Sequence, residues 1–143
     1  EEVVLPAHLA DLSLETIYKT DAKTDSYSTP FYSCNSLSKI SASGDLANFK
    51  IINNYICSKD GDEILYAPKF LSGNVTIPEG VIKIGDSAFR DCKNITSITI
   101  PDYVAVIGAY AFKSCTGLTS LTFEENEDAN LVIKEQAFHS CSS

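Results

Sequence analysis

The sequence predicts a solenoid, a stack of similar coils rather than a globule around one central sheet. Three observations carry that expectation. Residues 75–115 state one pattern twice: Val75-Thr76-Ile77-Pro78, Val81, Ile84-Gly85, Ala88-Phe89 and Cys92 return as Ile98-Thr99-Ile100-Pro101, Val104, Ile107-Gly108, Ala111-Phe112 and Cys115, each after 23 residues. A fixed period of that length marks coils that bury their apolar faces on one another. Within each copy, apolar and polar residues alternate at Val75/Ile77 and Ile98/Ile100, as a half-exposed strand requires. A different logic, that of a β-hairpin, interrupts the repeats over residues 48–70.

Each coil resolves into elements in order. The alternating run is a short strand, and Pro78 or Pro101 ends it where a missing N–H matters least. Val81/Ile84 and Val104/Ile107 form a second, shorter extended run. Gly85 and Gly108 read as turn punctuation. Asp86-Ser87-Ala88-Phe89 and Ala109-Tyr110-Ala111-Phe112 then read as about one helical turn each. A third copy runs from Leu118 to Cys141 and keeps Leu121, Phe123, Ile133, Ala137-Phe138 and Cys141. It diverges by placing Glu124 at the proline slot and Lys134 at the glycine slot. Its extra residues fall in an acidic bulge, Glu124-Glu125-Asn126-Glu127-Asp128.

Upstream, the pattern is worn. Leu5-Pro6, Leu9 and Leu12 stand where Ile77-Pro78, Val81 and Ile84 stand later, and Phe31, Cys34, Leu37 and Ile40 match Phe112, Cys115, Leu118 and Leu121. Between them, residues 13–30 have a polar loop composition, with helix-like spacing at Leu14, Ile17 and Tyr18. In the interruption, Phe49-Lys50-Ile51-Ile52 and Tyr55-Ile56-Cys57 lead to Asp60-Gly61 and then Glu63-Ile64-Leu65-Tyr66. Asp-Gly between β-rich runs signals a hairpin, and Pro68 stops its pairing. The expected organisation is a single repeat domain over 1–143: a degenerate repeat over 1–47 with an insertion at 13–30, a hairpin island at 48–70, and three copies over 71–143.

Bulk properties exclude several classes. With 44% hydrophobic and 21% charged residues the chain is neither disordered nor unusual for a folded domain. No apolar run reaches the roughly 18 residues of a membrane span, and no signal-peptide pattern opens the sequence. The absence of any Met is expected of a processed product or a segment of a longer protein. Nineteen acids against 11 Lys and Arg give a net charge of −8, the wrong sign for nucleic acid or an anionic membrane surface.

The pattern across Ile77–Ile98 and Ile100–Leu121, with its Ile-Pro, Ile-Gly, Ala-Phe and following Cys, resembles the BspA-type leucine-rich repeats. The stretch Phe49 to Pro68 looks like an island that sits between such repeats. The resemblance implies a leucine-rich-repeat solenoid of the α/β type, with a short strand and a short helical turn per coil. It also implies a secreted or surface-exposed protein, of the kind met in gut or oral bacteria and mucosal protists, that serves in adhesion or host interaction.

Each candidate site also has a simpler reading. Cys34, Cys92, Cys115 and Cys141 share one repeat slot, which favours stacked thiols acting as small hydrophobes. Zinc-type ligation would show C-x-x-C pairs, which are missing, and a disulfide between adjacent slots would be strained by parallel Cβ directions. Cys57 reads as a free, half-buried thiol. His8 and His139 pair with no Ser, Cys or Asp in a catalytic pattern, and no cofactor or metal motif stands out. Asn74-Val75-Thr76 and Asn94-Ile95-Thr96 match the N-glycosylation acceptor, which matters only in a eukaryotic source.

The strand faces are the expected working surface. Stacking aligns Asn74/Thr76, Ser97/Thr99 and Ser120/Thr122 as a flat hydroxyl-rich sheet, with Lys39/Ser41 as a continuation and the acidic Glu124 and Glu125 at its edge. The expected function is a non-enzymatic, extracytoplasmic module that binds a protein or glycan, such as host extracellular matrix. The alternative is a structural spacer or stalk, favoured by the lack of a polar capping segment after Cys141.

Overall fold

The computed structural model describes residues 2–5, 37–125 and 130–141. The expected helix near Leu14, the insertion, Cys34, His8 and most of the acidic bulge lie outside them. Eleven short strands run through the described residues: β1 (Glu2–Leu5), β2 (Lys39–Ala42), β3 (Phe49–Ile52), β4 (Tyr55–Ser58), β5 (Glu63–Tyr66), β6 (Gly73–Thr76), β7 (Lys83–Ile84), β8 (Ile95–Ile100), β9 (Val106–Ile107), β10 (Ser120–Phe123) and β11 (Val132–Ile133). None of the described residues forms a helix long and apolar enough to cross a membrane.

The 23-residue period becomes register. Strands β6, β8 and β10 form a parallel sheet in which Val75 stands beside Ile98 and Ile98 beside Leu121. On the second wall, Ile84 pairs with Ile107 and Ile107 with Ile133, through β7, β9 and β11. The third copy therefore recovers its register by β11, and its extra residues are taken up between β10 and β11. Between the walls, Val104 N–H donates to the Pro101 carbonyl at 3.1 Å and turns the chain. Strands β1 and β2 pair in parallel as a separate two-stranded sheet.

The segment after each Ile-Gly is not a helix. Alternate amides close local turns: Ala88 to Gly85, Arg90 to Ser87 and Cys92 to Phe89, at 3.0–3.2 Å. The amides between them bond the next coil instead: Ser87 to Ala109, Phe89 to Ala111 and Asp91 to Lys113, each at 2.8 Å. A helix would spend every amide internally and leave the coils unlinked on this side. Every fourth residue turns left-handed to keep the alternation going, with φ of +58° at Ser87, +61° at Asp91, +56° at Tyr110 and +61° at Ser114. The Ala-Phe-x-x-Cys spacing suits both conformations, which is why the sequence alone suggests a helical turn.

Gly85 and Gly108 also have a different role from turn punctuation. A Cβ at Gly85 would lie 2.7 Å from the Ile64 carbonyl oxygen, and one at Gly108 only 2.5 Å from Asp86 N. Glycine is there because the backbones of adjacent coils touch.

The interruption holds two hairpins. Besides the expected turn at Asp60-Gly61, Asn53 and Asn54 make a two-residue turn with φ of +50° and +69°, the backbone twist that short hairpins favour. Strand β5 pairs in parallel with β7, placing Ile64 beside Ile84, so the second wall continues as β11-β9-β7-β5-β4-β3. Two apolar cores flank this extension. Tyr55 and Cys57 point into the main core, which contains Phe89, Phe112 and the stacked isoleucines. Ile56 points into a smaller one with Leu5, Ile40 and Tyr66. Cys57 is thus fully buried, not half-buried.

Candidate functional site

The first wall brings the predicted residues together. Asn74, Ser97 and Ser120 are lateral partners across β6, β8 and β10, and so are Thr76, Thr99 and Thr122. Their inward neighbours explain the outward direction: Val75 and Ile98 are buried between the rows, and strand side chains alternate faces. Two parallel rows of amide and hydroxyl groups result, with strands spaced by roughly 4.8 Å. Asn74, Thr76, Ser120 and Thr122 are exposed, while Ser97 and Thr99 are partly shielded by the strands on either side. Ser97 Oγ donates to Asn74 Oδ1 at 3.1 Å, which fixes one amide in the row. The rows carry no charge, and hydroxyls both donate and accept, so they suit a polar neutral ligand.

Glu124 and Glu125 are exposed beyond β10, and the Glu124 amide extends the ladder to the Ile100 carbonyl at 2.9 Å. Lys39 and Ser41 do not continue the hydrogen-bonded sheet. They lie in the β1–β2 sheet, where Lys39 pairs with Glu2 at 2.9 Å and Ser41 Oγ donates to Glu2 at 2.5 Å. Those two partners hold the Glu2 carboxyl below its usual range.

One residue beside the face escapes a reading by motif. Tyr103 occupies the slot that is Gly80 in the preceding copy, and its hydroxyl donates back to the Ile77 carbonyl at 3.2 Å. Partial burial, with the carboxylates of Glu124, Glu79 and Asp102 nearby, raises its phenol above the usual value. An aromatic replacing a glycine in an otherwise faithful repeat is the signal that marks it.

Behind the face, the cysteine slot has a specific job. Cys115 Sγ donates to the Phe89 carbonyl at 3.0 Å and Cys141 Sγ to the Phe112 carbonyl at 2.9 Å. Each thiol thus reaches into the preceding coil. Burial pushes Cys57 up to about 11 and Cys115 up to about 12, and raises Cys92 well above 9.0, so these groups stay protonated and unreactive. Beside them the phenylalanines stack, with ring centroids 4.9 Å apart for Phe89–Phe112 and 5.1 Å for Phe112–Phe138. His139 is exposed and its Nδ1 meets Ser140 Oγ at 2.8 Å. Among the described residues, no group of three or more His, Cys, Asp or Glu side chains is placed to hold a metal.

Similarity to known proteins follows this architecture. A family model described as BspA type leucine rich repeat region (6 copies) matches residues 61–143. Among solved structures, a leucine-rich cell surface protein from Faecalibacterium prausnitzii A2-165 is 29% identical over 80% of this chain, with a TM-score of 0.62. A leucine-rich repeat protein from Eubacterium ventriosum covers 98% of the chain at 19% identity and a TM-score of 0.53, a likeness of fold alone. The chain spans 30% of the length of the first and 46% of the second. No curated protein matches. With its 23-residue coils, its stacked phenylalanines and the match over 61–143, the chain belongs to the BspA-type leucine-rich-repeat family.

Proposed function

We propose that this repeat module works outside the cytoplasm as a non-enzymatic binding element, presenting the β6–β8–β10 face to a protein or glycan. The observation that carries the reading is the register. Three successive coils place Asn74, Ser97 and Ser120 in one row and Thr76, Thr99 and Thr122 in a second, level with it. A rigid surface of this kind orders few side chains on binding, because threonine and serine are short. The cell surface description of the Faecalibacterium protein supports the location. Glu124 and Glu125 form the rim at the β10 side, which would favour ligands that tolerate or use negative charge there, while Tyr103 follows β8 and reaches back to Ile77 in the β6 coil.

The test is a binding screen against extracellular-matrix proteins, mucins and a glycan array, with a Thr76→Ala/Thr99→Ala/Thr122→Ala variant alongside. Saturable binding that weakens by about tenfold or more in the variant supports the face as the site. Undiminished binding by the variant would move the site elsewhere. A module that binds nothing in the screen would be left with the role of a spacer.

A further inference from the structure

At the opposite end of the described solenoid, a second surface has a different chemistry. Strand β3 is the terminal strand of the six-stranded wall, and β2 belongs to a two-stranded sheet in which β1 takes one edge. Among the described residues neither strand has a further strand partner on its other side, and the two border a shared groove of about 600 Å³, lined by all four residues of β2, all four of β3, and the Asn53-Asn54 turn. Asn54 Oδ1 accepts the Ile40 amide at 3.0 Å, a side-chain oxygen standing where a strand carbonyl would bond. Phe49, Ile51 and Ile52 give the groove half-buried apolar walls.

Its charge runs against the rest of the protein. Lys39, Lys50 and Lys59 all line it, three of the 11 basic residues in a chain of net charge −8. Asp45 is the single carboxylate among the described lining residues, and Glu2 pairs with Lys39 beside them. Lys50 Nζ donates to the Asp60 carbonyl at 3.0 Å and Lys59 Nζ to the Leu46 carbonyl at 2.6 Å. Neutral carbonyls hold the ammonium groups in place without cancelling their charge, and each has further donors to offer.

We propose that this groove is a strand-addition site for an extended peptide whose acidic and apolar side chains alternate. Edge amides and carbonyls of β2 and β3 would take the peptide backbone, the apolar walls one set of its side chains, and the lysines the other. The site is separate from the hydroxyl face, and neither depends on the other.

A fluorescein-labelled peptide of four Val-Glu repeats, titrated into the full chain and read by anisotropy, tests it. Saturable binding is expected. It should fall about tenfold or more when alternate peptide amides are N-methylated, and again in a Lys39→Glu/Lys50→Glu variant. A Val-Lys peptide should not bind, and the Thr76/Thr99/Thr122 alanine variant should bind like the unaltered chain. If the double variant fails to fold, Lys39→Glu alone carries the test, because that side chain is 58% exposed. Equal affinity for the N-methylated peptide, or equal displacement of the peptide by polygalacturonate, would overturn strand addition in favour of simple charge attraction. Failure of the Val-Glu peptide to bind would show that the lysines merely block the edges.

Discussion

Two coils with the same pattern sit in different circumstances. In the middle coil, Ile98 is 1% exposed and Ile107 fully buried; in the last described coil, their partners Leu121 and Ile133 are 37% and 48% exposed. The hydrogen bonds joining the coils are equally short in both, with Gly108 N–H to Ile84 at 2.8 Å and Lys134 N–H to Ile107 at 2.9 Å. Burial here belongs to the interface between coils. A residue needs a neighbour on both sides, whatever its own sequence slot dictates.

The stacked rings offer the largest test. Phe112 lies between Phe89 and Phe138, so Phe112→Ala should cost about 3–5 kcal/mol in urea unfolding. Phe138→Ala, which loses one described neighbour, should cost about half as much. Equal costs would break the comparison, and a Phe112 cost below about 0.5 kcal/mol would contradict the stacking itself. Next comes backbone contact between coils. Gly108→Ala forces Asp86 aside from a Cβ only 2.5 Å away and should cost about 2–3 kcal/mol. Gly80→Ala meets nothing within 4 Å and bears only its φ of +86°, a cost of about 1 kcal/mol. The last coil has Lys134 in the Gly108 slot, and its Nζ reaches Asp86, two coils back, at 3.4 Å.

The thiols sharpen the contrast at high pH. Cys115 keeps its proton in the folded chain up to about 12, whereas an unfolded chain loses it near 9.0. Above about pH 9 the unfolded state therefore binds fewer protons, and stability falls by up to about 1.4 kcal/mol per pH unit for this group. It is fully present below pH 9 and lost as the pH rises towards 12. Unfolding midpoints measured at pH 8 and 10.5 should drop less in Cys115→Ala than in the unaltered chain. The smallest effect is kinetic. Cys141, partly exposed, should react with a thiol reagent well before the buried Cys92 and Cys115, and simultaneous labelling would mean that the chain opens as one unit.

Much of this was legible at particular residues. The recurrence of Ile77-Pro78 at Ile100-Pro101 fixed the register that aligns Thr76, Thr99 and Thr122, because a period in sequence becomes adjacency in a stack. The turns after Gly85 were not legible. Ala88-Phe89 and Cys92 have a spacing common to a helix and to alternating turns, and the choice is made by amides that bond the next coil. The role of Gly85 and Gly108 is hidden for a related reason: the atoms they avoid belong to the neighbouring coil. Asn53-Asn54 is a weaker turn signal than Asp60-Gly61, since neither asparagine has the freedom of glycine at positive φ. Of the cysteine slot, Cys92 and Cys115 lie in the core as their shared position implies, while Cys141 is only partly buried; the donation of Cys115 to a phenylalanine carbonyl depends on a partner 26 residues away.

Amide hydrogen exchange at Gly108 and Lys134 tests the account most directly, because the two amides share a repeat slot and have bonds of nearly equal length. Burial by neighbours on both sides predicts that Gly108 exchanges only on global unfolding, while Lys134 exchanges about tenfold or more faster through local opening of the last coil. Equal protection at both sites would contradict it.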